Sequence, residues 1–432
     1  MFHAQEAVSS AFRGGDRIGS SMAPQRLWNL RLRAAAAALA VVSCGNGDGN
    51  FSQHPGFAEW YAANPPSEAM PGPLERALLA RYQPRLFIAE EQEPPLDFYR
   101  DYIAQGRLYD GDGELISAEV TPEILNAHKA DPAVVFVHEP TDRPARPRIY
   151  GRLDRGALAL PGCEAATPMT FLTYHLAFRR SGLPAGMAGW QEALIELVAD
   201  PADWHQLDHY TALTLALAPG PGGGLEPLAA TFQQHNYLRT YLLGATAGAG
   251  RLAMPADGRL PVDVALRSNE LYPRRPERAR RRAVSFMTPE SARYLVTGED
   301  QPWLRADDVT DPEREIAPEL AFLRPSDAFY VFQGWLGERR WLPGRDGPPG
   351  ADYNTLPAFK PKPVQLALFY WREDDPAYLE LLTGLFADGR PSEVPLSPFA
   401  ARLAADLSPE RLAAACQGAA DPDARSVASR RS

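Results

Sequence analysis

The sequence predicts a mainly β protein, an antiparallel β-sandwich-like domain with peripheral α-helices. Three observations carry this. Short runs of β-branched, aromatic or alternating apolar residues recur along the chain, as strands require. Proline, at 42 of 432 residues, is about twice its usual share, which favours short elements closed by rigid turns. The runs are separated by loops rather than by regular helical segments, a spacing that suits antiparallel pairing better than βαβ units.

The predicted strands cover residues 85–88, 134–138, 148–153, 169–178, 210–217, 228–234, 262–266, 328–332 and 364–371. Between the fifth and sixth, the Pro219–Gly224 stretch is rich in turn formers and would fold the pair into a hairpin. Helices are fewer. Leu74–Leu79 has helical spacing, and so has 189–199, with Trp190, Leu194, Leu197 and Val198 on its apolar stripe. Thr121-Pro122-Glu123 and Ser408-Pro409-Glu410 each place a capping hydroxyl before a first-turn proline and an acid. Residues 397–417 read as a helical pair.

The leader has its own logic. Arg26, Arg31 and Arg33 precede an uncharged apolar run, 34–42, in the order a secretory signal needs. The run is far short of the roughly 20 residues that span a bilayer. Val41-Val42-Ser43-Cys44 resembles the lipobox of bacterial lipoproteins, which implies acylation of Cys44, a membrane held through lipid chains, and cleavage before residue 44. Residues 1–43 are thus expected to be a signal peptide, with Met22 the more natural start. Residues 44–72 would be a lipidated tether, 73–395 the mainly β domain, 396–418 C-terminal helices and 419–432 a disordered tail. Glycine rather than aspartate at position 45 resembles outer-membrane sorting, facing the periplasm or the cell surface. The competing reading is an alanine-rich amphipathic helix in which Cys44 is incidental. A domain break near Gly244–Gly250 is a further alternative.

Residues 1–43 carry five arginines and two acids, so their removal shifts the net charge from −10 to −13. That argues against nucleic acid as a partner. The partners left open are a cell-envelope polysaccharide and a protein. Cys163 and Cys416 could pair in an oxidising compartment, and no CxxC or zinc-ribbon spacing exists. The six arginines within 274–282 are either a solvated face or a patch for an anionic polymer. Carboxylates at Glu90, Glu91, Glu93 and Asp97 could serve acid/base work, although surface acids are far commoner.

The most chemically loaded segment is Asp203-Trp204-His205-Gln206-Leu207-Asp208-His209-Tyr210. His205 and His209 are four apart, on one face in either regular geometry. His209 is expected at a strand entrance, and His235 ends the next strand. Together with His175 and Asp208 they form a candidate set for zinc or another divalent metal, which would lower the pKa of its bound water in a metal-assisted hydrolase. No HExxH signature supports this. Structural histidines bonded to carbonyls are the competing reading, and a sugar platform of Trp204, Tyr210 and Tyr237 is a third. Neither a nucleophile elbow nor a phosphate loop is present.

Asp208-His209-Tyr210, an alternating strand, a Gly/Pro turn and then Gln234-His235 resemble a pattern of the vacuolar protein sorting-associated protein 62 family. Tyr82-Gln83-Pro84-Arg85-Leu86 and Gly334-Trp335-Leu336-Gly337 are similar to its flanking features, over roughly residues 80–370. His209 and Tyr210 stand where that family has tryptophan and glutamate. The resemblance implies a mainly β fold and no particular activity.

Overall fold

A computed structural model describes residues 65–139, 145–158, 160, 162–185, 189–234, 237–247, 251–274, 310, 313–340, 345–352, 405 and 407–418. The leader, the lipobox, the predicted strand at 364–371, all but Arg274 of the arginine cluster and the first of the two C-terminal helices lie outside them. The protein is mainly β, as the sequence predicts.

The largest sheet has seven strands, in the order β12 (Arg251–Ala253), β11 (Tyr237–Gly244), β10 (Leu225–Gln234), β9 (Ala212–Pro219), β6 (Thr167–Leu176), β5 (Arg148–Leu158), β16 (Glu319–Ala321). Its five central strands pair antiparallel, and the short edge strands add on in parallel. The β9–β10 hairpin turns where the sequence places it, and Gly223 there has φ of +74°, which costs glycine nothing. A second sheet runs β14 (Leu271–Pro273), β13 (Pro261–Val264), β1 (Arg85–Ile88), β15 (Arg314–Ile316).

Alternation along the strands decides where the first core sits. Leu172, Tyr174 and Leu176 of β6, Leu213, Leu215 and Leu217 of β9, and Phe232 of β10 share one hydrophobic cluster with Leu86, Ile88, Val262 and Val264 of the second sheet. Tyr241, before the glycine-rich stretch at 244–250, and Leu271, after it, belong to that same cluster. Helix α1 (Pro73–Arg81) covers one end through Leu79. Proline occupies its first turn, and the Glu75 carboxylate accepts the Gly72 N–H at 2.8 Å.

A three-stranded sheet, β3 (Leu115–Ser117), β2 (Gly106–Tyr109), β4 (Val135–His138), and a two-stranded one, β7 (Phe178–Ser181) with β8 (His205–Asp208), complete the strands. Helix α2 (Pro122–Ala127) starts at Thr121, whose hydroxyl accepts from the Ile124 N–H as a cap should. A second core gathers Phe98, Tyr102, Phe136, Tyr150, Phe329 and Leu336. Phe98 and Tyr102 belong to a wide helical turn, Phe98–Tyr102, capped by Asp97. The segment around Trp335 lies along β4, with Phe136 N–H donating to the Trp335 carbonyl at 2.8 Å. Here Gly337 and Gly347 cross so closely that a Cβ on Gly347 would come within 2.2 Å of the Gly337 Cα.

Two expectations change. Residues 328–332 do not form a strand. Ala328–Val331 is a short helix, α4, because the Asp327 carboxylate accepts from the Phe329 N–H and starts a helical turn there. A run of apolar residues this short does not distinguish the two states by period. The predicted strand at 169–178 is two elements, β6 and β7, belonging to different sheets. Helix α3 (Gly189–Glu196) forms where a helix is expected but ends before Leu197 and Val198; Leu197 is 73% exposed, and Ile195, off the expected stripe, is buried instead. Helix α5 (Pro409–Gly418) begins after Ser408, which accepts from the Arg411 N–H at 3.3 Å. A Cys163–Cys416 disulfide ties it to the β5–β6 connection, and Arg411 pairs with Glu226 on β10. Among the described residues, no helix is long and apolar enough to cross a membrane.

Candidate functional site

β8 ends at Asp208 and β9 begins at Ala212, so His209 sits at the strand entrance that the pattern predicts. Backbone geometry then separates the candidate residues. Leu207 has φ of +52°, in the left-handed region that branched residues avoid. Asp208 and His209 follow it into different surroundings.

Asp208 is fully buried. One carboxylate oxygen accepts from the Thr211 hydroxyl at 2.9 Å and the other from the Asn269 side-chain amide at 3.0 Å. Asn269 in turn accepts from the Gln92 amide at 2.8 Å, and Gln92 accepts from the Arg267 N–H at 3.0 Å. Glu270, also buried, accepts from the Tyr272 hydroxyl at 3.0 Å. Tyr210 is pushed well above the ordinary phenol range by burial and then by the charges of Asp208 and Glu270, partly opposed by a hydrogen bond with Ser181. Arg267 and Asn269 have φ of +69° and +61°. With Leu207 they are the three non-glycine residues of positive φ among the described residues; Leu207 precedes Asp208 on β8, and Arg267 and Asn269 lie in the β13–β14 loop that reaches it. Such concentrations of backbone strain mark places where side-chain placement is over-determined.

His205 is buried beside Tyr210, with ring centroids 6.2 Å apart. Its Nδ1 faces the carbonyls of Gln206 at 3.2 Å and Leu207 at 3.1 Å. Carbonyls only accept, so Nδ1 carries the proton. Burial lowers its pKa, and the two carbonyls partly oppose that.

His209 lies in the second core. It stacks on Phe98, 5.9 Å between centroids, and meets Phe329 edge-on at 5.1 Å. His175 reaches Phe329 from β6 at 6.0 Å and also meets Tyr330 at 5.3 Å. The structure therefore brings His175 and His209 to one aromatic ring, and places Asp208 and His205 in a different set of contacts. His235 lies outside the described residues. Among those described, no group of three or more histidines, cysteines or acids could hold a metal ion. The four described candidates are not gathered as a zinc set, because His175 and His209 meet at Phe329 while Asp208 bonds Thr211 and Asn269 and His205 packs by Tyr210.

Of the proposed aromatic platform, Trp204 is covered by Arg345, 5.5 Å from its ring, and Tyr210 packs by His205; the Tyr237 side chain lies outside those described. Asp97, read as a candidate acid, caps the turn at Phe98 and pairs with Arg148. Arg274, first of the basic cluster, pairs with Asp263 at 2.8 Å and stacks on Phe87. Gln92, Asn269 and Glu270 escaped the sequence reading. They are far from Asp208 in the chain, and only the turn-forming Asn269 hinted at a special backbone.

Comparison with protein-family models, curated proteins and solved structures finds no match for the chain.

Proposed function

We propose that this is a lipid-anchored bacterial envelope protein, held through Cys44, that binds an envelope component rather than transforming one. The leader supports the address: three arginines, an uncharged apolar run and Val-Val-Ser-Cys at 41–44. The observation that carries the compartment is the disulfide between Cys163 and Cys416, a bond that persists in oxidising envelopes and is rare in the cytosol. Binding is favoured over metal-assisted hydrolysis because the described candidates divide between two sets of contacts, Asp208 with Thr211 and Asn269 and His209 with Phe98 and Phe329.

Fractionation of cells making the full chain tests the reading. The protein is expected in the outer membrane, extractable only with detergent, and cross-linkable in intact cells to an envelope polysaccharide or protein. Recovery from the cytosol with both thiols free would overturn it. Metal analysis of protein purified without chelator separates the hydrolase alternative. Stoichiometric zinc, lost in a folded His205→Ala variant, would replace binding by metal-assisted hydrolysis.

A further inference from the structure

Helix α1 buries one face and leaves the other to solvent. Glu75, Leu78, Leu79 and Tyr82 follow the spacing of a single helix face and turn inward, Leu79 and Tyr82 being buried. The opposite arc carries Pro73, Leu74, Arg76, Ala77, Ala80 and Arg81, all exposed. Leu74 is 86% exposed. Among the described residues, five large apolar side chains are exposed, and three of them gather here. Met70 precedes the helix and Leu74 lies on it. The Leu225 carbonyl accepts from the hydroxyl of Tyr82, the residue that ends the helix, at 3.5 Å. Single exposed leucines are ordinary, whereas a group at one element calls for something to cover it.

Charge and chain position say what covers it. Glu75, the acid of the helix, is engaged by the Gly72 N–H at 2.8 Å and by Arg155 at 2.7 Å. Glu68, before the helix, accepts from the Ser326 hydroxyl at 2.6 Å. Arg76 donates to the Pro71 carbonyl at 2.7 Å and lies over Phe322, and Arg81 lies over Tyr82. Both arginines are exposed, so the outward arc is apolar and cationic. Helices that lie in a membrane interface have this composition, with arginine stems buried and their heads in water. Helix α1 is also the first described element after Cys44, with 28 residues, 45–72, between them. A surface held through so short a linker is presented at an effective concentration of about millimolar. A small patch then suffices.

We propose that the outward face of α1 lies on the bilayer that holds the lipid anchor, with Met70 and Leu74 in the interface and Arg76 and Arg81 at anionic headgroups. The inference rests on the reading that Cys44 is acylated, and it adds the orientation of the domain. The chain is acidic overall, so an anionic leaflet repels most of its surface and selects the cationic arc.

Protein extracted from membranes and reconstituted into vesicles of phosphatidylethanolamine and phosphatidylglycerol tests this. With Cys163 and Cys416 bonded and Cys44 acylated, Leu74→Cys supplies a single free thiol for an environment-sensitive fluorophore. Its emission is expected to shift to the blue and to be quenched by nitroxide-bearing lipids. The same label on Leu115→Cys, at an exposed position of β3, should stay aqueous. Arg76→Gln with Arg81→Gln should shrink the shift on those vesicles but not on phosphatidylcholine alone. An aqueous label at position 74, equal shifts at 74 and 115, or a shift indifferent to the arginines would overturn the surface. A shift that needs no vesicles and grows with protein concentration would assign the face to a second copy of the chain instead. Mass spectrometry of the same sample separates this inference from the anchor. An acylated chain with an aqueous label sinks the inference alone. An unacylated chain whose label still enters vesicles sinks the anchor and leaves the surface standing.

Discussion

The imidazole of His209 lies flat on the ring of Phe98, with 5.9 Å between centroids and 8° between planes. A ring held this way acts as a core aromatic. His209→Ala should cost about 3 kcal/mol by leaving a cavity between Phe98 and Phe329, whereas His209→Phe preserves most of the volume and should cost less than about 1.5 kcal/mol. Urea unfolding of both variants checks this. A phenylalanine variant as unstable as the alanine one would assign the imidazole nitrogens a role that the stacking does not explain.

His138 provides a pH signature. It is buried, stacks on Tyr102 at 4.4 Å between centroids, and feels the charge of Arg179. Burial first, and then Arg179, lower its pKa to about 4, against about 6.5 in the unfolded chain. The folded state therefore resists protonation while the unfolded state accepts it. This contribution is fully present above pH 6.5 and is lost as pH falls toward 4, to a total of about 3 kcal/mol. His138→Phe should flatten the stability profile across that window. A profile identical to wild type would remove His138 from the explanation.

The Cys163–Cys416 bond closes a separation of 253 residues. Loop entropy for so long a loop sets an upper figure of about 5 kcal/mol for its removal. A Cys416→Ser protein should melt markedly lower and lose α5 first to limited proteolysis, since Arg411 and the buried Ala414 and Ala415 are left as its other anchors. Unchanged cleavage near α5 would mean the helix docks without the bond.

Asp208 and Asn269 should be energetically coupled. Their bond is buried and joins the end of β8 to the β13–β14 loop, each with positive-φ backbone at or beside the bonded residue. Asp208→Asn and Asn269→Ala should each cost about 1–3 kcal/mol, and the double variant should cost less than their sum by about 1 kcal/mol. Strict additivity in a double-mutant cycle would show that the network is not a unit.

Much of the fold is legible in the chain because its signals are local. Thr211–Leu217 alternates, Pro219–Gly224 turns, and Leu228 onward resumes the pattern, so β9 and β10 follow from neighbouring residues. Thr121 and Ser408 announce α2 and α5 in the same way. Residues 328–332 mislead because a short apolar run has no period, and the decisive feature is the Asp327 cap before it. The site is less legible. His205, Asp208 and His209 are close in sequence, but a single left-handed residue, Leu207, sends neighbouring side chains into different environments. Thr173, Thr214 and Thr231 are hidden for the opposite reason: threonine is an ordinary strand residue, and only the register of β6, β9 and β10 reveals that the three stand side by side.

Mass spectrometry of the N-terminal peptide from membrane-extracted protein tests the central claim most directly. The account predicts a chain that begins at Cys44 and bears fatty acyl mass on that residue, with both features lost in Cys44→Ala. An intact leader and an unmodified Cys44 thiol in the wild-type protein would contradict it.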